Sequence, residues 1–157
     1  MRFLQLVIAA VMLLAAPRLG ETDTPVPLVV VVAKGSKIVN LTKADLRRCF
    51  SGESVEAGGQ RLVPFNTTPS SVERVAFDRA ILAMSPEQVG RYWVDRKIRG
   101  QGQPPRALPS AQYVAKIVAK FRGAIGYIPR SQLTSDVQVV TIDGVAPGAA
   151  GYPLYLK

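Results

Sequence analysis

The residues best suited to chemistry lie in one stretch, Asn66-Thr67-Thr68-Pro69-Ser70-Ser71-Val72-Glu73-Arg74. Hydroxyls at Thr67, Thr68, Ser70 and Ser71 can donate hydrogen bonds, and Arg74 can add a charge-assisted donor. Ser70 and Glu73 have the S-x-x-E spacing of a capping box, which predicts a helix opening at Ser70. The backbone N–H groups of Ser71, Val72 and Glu73 would then lack helical partners. Together with the positive end of the helix dipole they form an anion cradle. Thr67, Thr68, Ser70, Ser71 and Arg74 are therefore the expected contacts, and a small anion is the expected ligand. A second reading of the same residues stays open. In it, Ser70 serves only its own helix, Arg74 lies along the solvent face, and the Glu73 carboxylate occupies the free N–H groups or repels an anion from them.

Composition narrows the alternatives. The chain has no histidine and one cysteine, Cys49. Metal sites and the common nucleophile–base pairs lose most of their raw material. Carboxylates remain, but no pair of them stands out by spacing. A binding protein, not an enzyme, is expected, with no metal and no cofactor. Cys49 sits between Arg48 and Phe50 on a helical pattern and reads as a small buried apolar residue. The formal charge is +9, from 20 Lys and Arg against 11 Asp and Glu. Such a balance favours anionic ligands, acidic lipid surfaces or nucleic acid. The cations are scattered, with Arg96, Lys97 and Arg99 nearest to a cluster. No nucleic-acid motif accompanies them, so nucleic acid is not an expected partner.

The first residues bear on location. Arg2 precedes an apolar stretch from Phe3 to Ala16, broken only by Gln5. That stretch is shorter than the roughly 20 apolar residues a membrane-spanning helix needs. Ala15-Ala16 and Pro17 to Gly20 offer small-residue cleavage positions. Residues 1–20 are read as a secretory signal peptide, with a retained N-terminal anchor as the alternative. Export to the periplasm or another extracytoplasmic space follows as an expectation. Residues 28–157 then form one domain, long enough to bury a core without disulfides.

The elements that must position the hydroxyl-rich stretch can be read from periodicity. Leu28 to Ala33 is a continuous valine-rich run, the pattern of a strand buried on both faces as in a parallel sheet. Thr42 and Asp45 begin a short helix whose Leu46, Cys49 and Phe50 share a face. A polar turn with Gly58-Gly59 leads to a strand over Arg61 to Phe65. Asn66 to Pro69 then turns the chain into a helix, with Phe77, Ile81 and Met84 at helical spacing. Ser85-Pro86-Glu87 starts another, carrying Val89, Tyr92 and Trp93. Arg99 to Pro109 is expected to be irregular throughout. Ser110 opens a fourth helix with Val114, Ile117, Val118 and Phe121 on one face, and Gly123 stops it. Ala124 to Ile128 and Val137 to Ile142 are short strands, and the tail from Ala149 offers an edge strand. Strands alternating with helices predict an α/β lobe of three layers, its mixed and largely parallel sheet flanked by helices.

Taken in order, these stretches resemble the phosphate ABC transporter substrate-binding family. The resemblance runs through Leu28-Val-Val-Val-Val-Ala33 and Leu41-Thr-Lys-Ala-Asp-Leu-Arg-Arg-Cys-Phe-Ser-Gly52, where the family has a helix ending in Phe-x-Gly. It continues in Ser71-Val-Glu-Arg-Val-Ala-Phe77, at the place of the family's phosphate-binding Ser-Gly-Thr. Tyr92-Trp93 with Gly100-Gln-Gly-Gln-Pro-Pro-Arg106 is similar to short, stand-alone members, and Gly123-Ala-Ile-Gly-Tyr-Ile128 to the family's Gly-Ala-Ile-Gly-Tyr-Val. The resemblance implies the type II periplasmic binding protein fold, phosphate as ligand, and a membrane transporter or sensor as partner. Full-length members have two lobes, and the present stretch is similar to the second. Where the family has Ser-Gly-Thr, this chain has Ser71, Val72 and Glu73, which removes a close backbone approach and puts a negative charge where a hydroxyl donor stood. The implied site is therefore half a site, with phosphate binding weak or dependent on a partner chain. A sensory or interaction module that binds no solute is the alternative.

Overall fold

Burial of the valine run organises the whole sheet. The computed structural model describes residues 24–156, so the expected signal peptide lies outside the described residues. The described strands are β1 (Leu28–Ala33), β2 (Asn40–Leu41), β3 (Glu56–Ala57), β4 (Gln60–Arg61), β5 (Val63–Thr67), β6 (Arg106–Leu108), β7 (Ala124–Pro129) and β8 (Val137–Ile142). β3 and β4 form a small hairpin, and the other six make one sheet in the order β2-β8-β1-β7-β5-β6. β1 pairs antiparallel with β7 and β8, whereas β2 with β8, β5 with β7 and β5 with β6 are parallel. Five strands thus share one direction and β1 alone opposes them. The sheet is mixed and largely parallel, as expected, but the parallel setting inferred for β1 is corrected. Its double burial needs only a helix layer on each face, whatever the direction of its neighbours.

Those layers come from α1 (Lys43–Phe50), α2 (Val72–Phe77), α3 (Pro86–Ile98) and α4 (Ala111–Lys120), with a π turn over Asp78–Leu82 extending α2. The first three helices bury Leu46, Phe50, Phe77, Ile81, Val89 and Trp93 against Leu28, Val30 and Val32 of β1. On the other face α4 buries Val114, Ala115 and Val118 against Val29 and Val31. The alternation along β1 is the strand period of two. Phe50, Phe77 and Tyr127 form the centre of the larger core, with the Phe77 and Tyr127 rings stacked at 4.1 Å between centroids and Phe50 to Phe77 at 4.5 Å. Gly126 of β7 lets α4 approach, because a β-carbon there would collide with Val114 Cγ1.

Helix starts follow the sequence closely, with one correction that matters for the site. Thr42 with Asp45 and Ser85 with Gln88 form capping boxes, the second with Pro86 just inside its helix. After β5, however, Ser71 is the N-cap rather than Ser70: its Oγ accepts the Arg74 N–H at 3.2 Å. The Ser71 N–H donates to the Thr68 carbonyl at 3.0 Å, so a turn over Thr68 to Ser71 delays the helix by one residue. β5 also continues through Asn66 and Thr67, which were expected in the turn.

Three further expectations change. Arg106–Leu108 forms β6 on the edge of β5, within a segment expected to be irregular. Pro104 and Pro105 precede it, where a missing N–H costs no ladder bond. Phe121 leaves the α4 face, because the helix ends at Lys120 and the chain is already extended there, leaving the ring 56 % exposed. The tail contributes a single bridge, Tyr155 to Pro27, instead of an edge strand. It closes the core nonetheless, with Leu154 buried and the Tyr152 hydroxyl donating to the Leu28 carbonyl at 2.8 Å.

Candidate functional site

β5 delivers Asn66 and Thr67 to its carboxyl end, where both are buried. Arg74 and Asp78, on α2 and its π extension, are buried beside them. Tyr, Trp and Cys apart, these four are the buried polar or charged residues among the described residues, and all lie where β5 hands over to α2. Burial of such groups is costly unless they are paired. Here they are. Arg74 Nε donates to Asp78 Oδ2 at 2.6 Å, one helical turn on. Desolvation pushes the Asp78 carboxyl above its ordinary range, while the Arg74 charge and hydrogen bond pull it back down. The Thr67 and Ser71 hydroxyls share a hydrogen bond of 2.7 Å. The Tyr127 hydroxyl donates to Asn66 Oδ1 at 3.1 Å, and burial holds that phenol protonated well above neutral pH.

Above this cluster opens a cleft of about 310 Å³, lined by Thr67, Ser71, Glu73, Ser110, Gln112 and Gln132, with Pro109 and Ala111. It lies beyond the carboxyl ends of the parallel strands β5 and β6, the position where open α/β sheets bind ligands. Two helix starts meet there. Ser71 caps α2, and Ser110 caps α4 by accepting the Tyr113 N–H at 3.4 Å. First-turn N–H groups of a helix have no partner within it, so two starts at one cleft bring several free donors together. The lining thus offers hydroxyls, amides and one carboxylate, a set that can hold a small polar solute but holds no nucleophile–base pair.

The five sequence-predicted contacts separate. Thr67 and Ser71 line the cleft. Arg74 lies beneath it, committed to Asp78, and is neither on the solvent face nor part of the lining. Thr68 is half-buried and serves the turn through its carbonyl. Ser70 is exposed and lines a different groove, with Val72, Arg79 and Tyr155. Glu73, the residue of the second reading, faces the cleft. Sequence reasoning missed Ser110, Gln112 and Gln132. Ser110 carried a usable signal as a helix start, but only the pairing of β6 with β5 brings it next to Ser71.

Two other expectations can be placed. Cys49 is buried and its thiol is pushed up to about 12 by desolvation, the behaviour of a packing residue. Arg96, Lys97 and Arg99 do not form a free basic patch. The Arg96 guanidinium packs over the Tyr92 and Trp93 rings at 5.5 and 5.8 Å and donates to the Gln101 carbonyl, while Arg99 pairs with Asp95.

No family model and no curated protein matches the chain. Solved structures do. An ABC-type phosphate transport receptor from Vibrio cholerae superposes with a TM-score of 0.61 at 17 % identity, over 78 % of this chain and 48 % of that one. PstS from Borrelia burgdorferi gives 0.61 at 16 %, over 85 % and 57 %. A Clostridium perfringens protein, assigned as a phosphate ABC transporter substrate-binding protein and crystallised with bound phosphate, gives 0.60 at 20 %, over 77 % and 46 %. The likeness is one of fold. At these identities it carries the α/β architecture and no residue-level equivalence, and the chain spans about half the length of the structures it matches. Among the described residues, no helix is long and apolar enough to cross a membrane.

Proposed function

We propose that the chain is an exported, non-enzymatic solute-binding protein of the phosphate-receptor type, taking phosphate or another small oxyanion in the cleft above Thr67 and Ser71. The observation that carries this reading is the meeting of two serine-capped helix starts at the carboxyl ends of β5 and β6. Helix starts favour anions through both free N–H groups and the dipole. Thr67 and Ser71 make direct contacts in this reading, joined by Ser110, Gln112 and Gln132. Thr68 and Ser70 shape the turn that sets Ser71 in place. Arg74 supplies positive potential from below, diminished by Asp78. The fold shared with phosphate receptors supports the ligand class, and the apolar stretch before Pro17 supports an extracytoplasmic location.

Binding is weak in the isolated chain. Effective small-molecule sites enclose most of their ligand, whereas this cleft is open and Glu73 sets a negative charge on its wall. A partner chain or a second lobe would complete it, and a membrane transporter or sensor is the class of partner the fold suggests. The test is thermal unfolding of the full chain with phosphate raised to millimolar levels against chloride of equal ionic strength. A ligand that binds only the folded state raises the melting temperature by mass action. That increment, and not the absolute melting temperature, should disappear in Ser71→Ala and Thr67→Val. A flat phosphate titration in the wild-type chain removes the proposal.

A second reading is favoured by Glu73 in the cleft and by the commitment of Arg74 to Asp78. In it the same fold is an extracytoplasmic interaction or sensory module that docks on a membrane protein and binds no solute. It requires the flat titration.

A further inference from the structure

The cleft lies at one end of the sheet; a larger cavity lies at the other. Because β1 runs against its neighbours, its carboxyl end adjoins the amino end of β7. There the β1–β2 loop, the tip of the β3–β4 hairpin and the turn between α4 and β7 enclose about 630 Å³. Lys34 and Lys37 come from the first segment and Arg122 from the third, all exposed, and no acidic side chain is in the lining. None of the three cations belongs to an ion pair of the described residues. The site is roughly 20 Å from the cleft, the length of a six-residue strand.

A lone cation at Arg122 would be explained by the negative end of α4 just before it. Lys34 and Lys37 have no such reason to be there, and like charges held around one cavity repel until an anion enters. The segments are also built to stay in place. Gln138 spends its whole amide on the β1–β2 loop: Nε2 donates to the Ser36 and Ile38 carbonyls at 2.8 and 3.1 Å, and Oε1 accepts the Gly35 N–H at 3.0 Å. The hairpin tip seats on the same loop, since a β-carbon at Gly58 would come within 2.9 Å of Ile38 Cγ1.

We infer that this cavity is a second anion site, for a phosphorylated organic molecule larger than orthophosphate. The three cations hold its phosphate groups. The volume falls within the about 300 to 1,000 Å³ of small-molecule sites, most of which orthophosphate would leave empty. Fructose 1,6-bisphosphate is a suitable probe, with fructose and orthophosphate as comparators at constant ionic strength, read by calorimetric titration of the full chain. The bisphosphate should bind at least tenfold more tightly than orthophosphate. Lys34→Ala, Lys37→Ala and Arg122→Ala, at exposed positions, should each weaken it several-fold without lowering the melting temperature. Ser71→Ala in the cleft should leave it unchanged, so this site can fail or stand independently of the cleft. Absence of bisphosphate binding, or binding equal in the three cation variants, overturns the inference. So does cosedimentation with phosphatidylglycerol vesicles, lost in those variants, if the soluble bisphosphate does not bind, because the patch would then be reading a lipid surface.

Discussion

In the proposed reading, Arg74 serves the cleft without touching its ligand. Its guanidinium is buried, bonded to Asp78, and one turn below the Ser71 cap. Removing one member of a buried pair leaves the other uncompensated, at a cost of about 3 kcal/mol or more. Arg74→Ala should therefore lower stability by that order at neutral pH in denaturant titrations. The pH dependence follows from the Asp78 direction. Burial already raises its folded-state carboxyl above the unfolded value, and without Arg74 the downward pull is gone, so the group rises further. A folded state that holds its proton more tightly than the unfolded state gains stability as pH falls. The deficit of the variant should thus shrink on acidification toward pH 4, and an equal deficit at both pH values would exclude the role assigned to Asp78. Glu73 acts in the opposite sense on the cleft. Replacing its carboxylate by an amide removes a like charge a few ångströms from a bound oxyanion, an effect of about tenfold in affinity at intermediate effective dielectric. Glu73→Gln should therefore show a phosphate-induced thermal shift at roughly tenfold lower phosphate than the wild-type chain.

At the level of elements, the site depends on how closely α4 seats on the sheet, because Ser110 at its start forms one wall of the cleft. Gly126 sets that distance. A methyl group there runs into Val114, and overpacking of this kind costs about 1 to 3 kcal/mol. Gly126→Ala should destabilise the chain by that amount, with a smaller penalty in a Val114→Ala background, which a double-mutant cycle would measure. The same displacement should weaken phosphate binding, since it moves Ser110 and Gln112 relative to Ser71. Local patterning told most of the element story. Leu28–Ala33 is apolar throughout because two helix layers cover it. Thr42 with Asp45 and Ser85-Pro86 mark helix starts by side-chain chemistry that acts over a single turn. Where two serines compete, as at Ser70 and Ser71, the helix start was set by the turn hydrogen bond from Ser71 to Thr68, which spacing does not encode. β6 was illegible for a related reason: three residues become a strand only because the edge of β5 is there to pair with them.

For the whole molecule, the reversed β1 is the governing fact. The reversal places strand carboxyl ends at both ends of the sheet, one capped by Ser71 and Ser110 and the other ringed by Lys34, Lys37 and Arg122. An open cleft in a single lobe explains why millimolar phosphate is the appropriate range for the proposed binding. The solved phosphate receptors share the architecture over about half of their length.

What the sequence by itself determined is what depends on near neighbours along the chain: the alternation of strands and helices, most helix caps, the inert character of Cys49, and the hydroxyl-rich turn at Asn66 to Ser71. Tertiary structure alone decided which of those hydroxyls share a cleft. Ser110, Gln112 and Gln132 reach Thr67 only through the pairing of β6 and β7 with β5, and Arg74 is withdrawn from solvent only by the packing of α2 on the sheet. Burial and strand pairing join residues far apart in the chain, and no local periodicity carries that information.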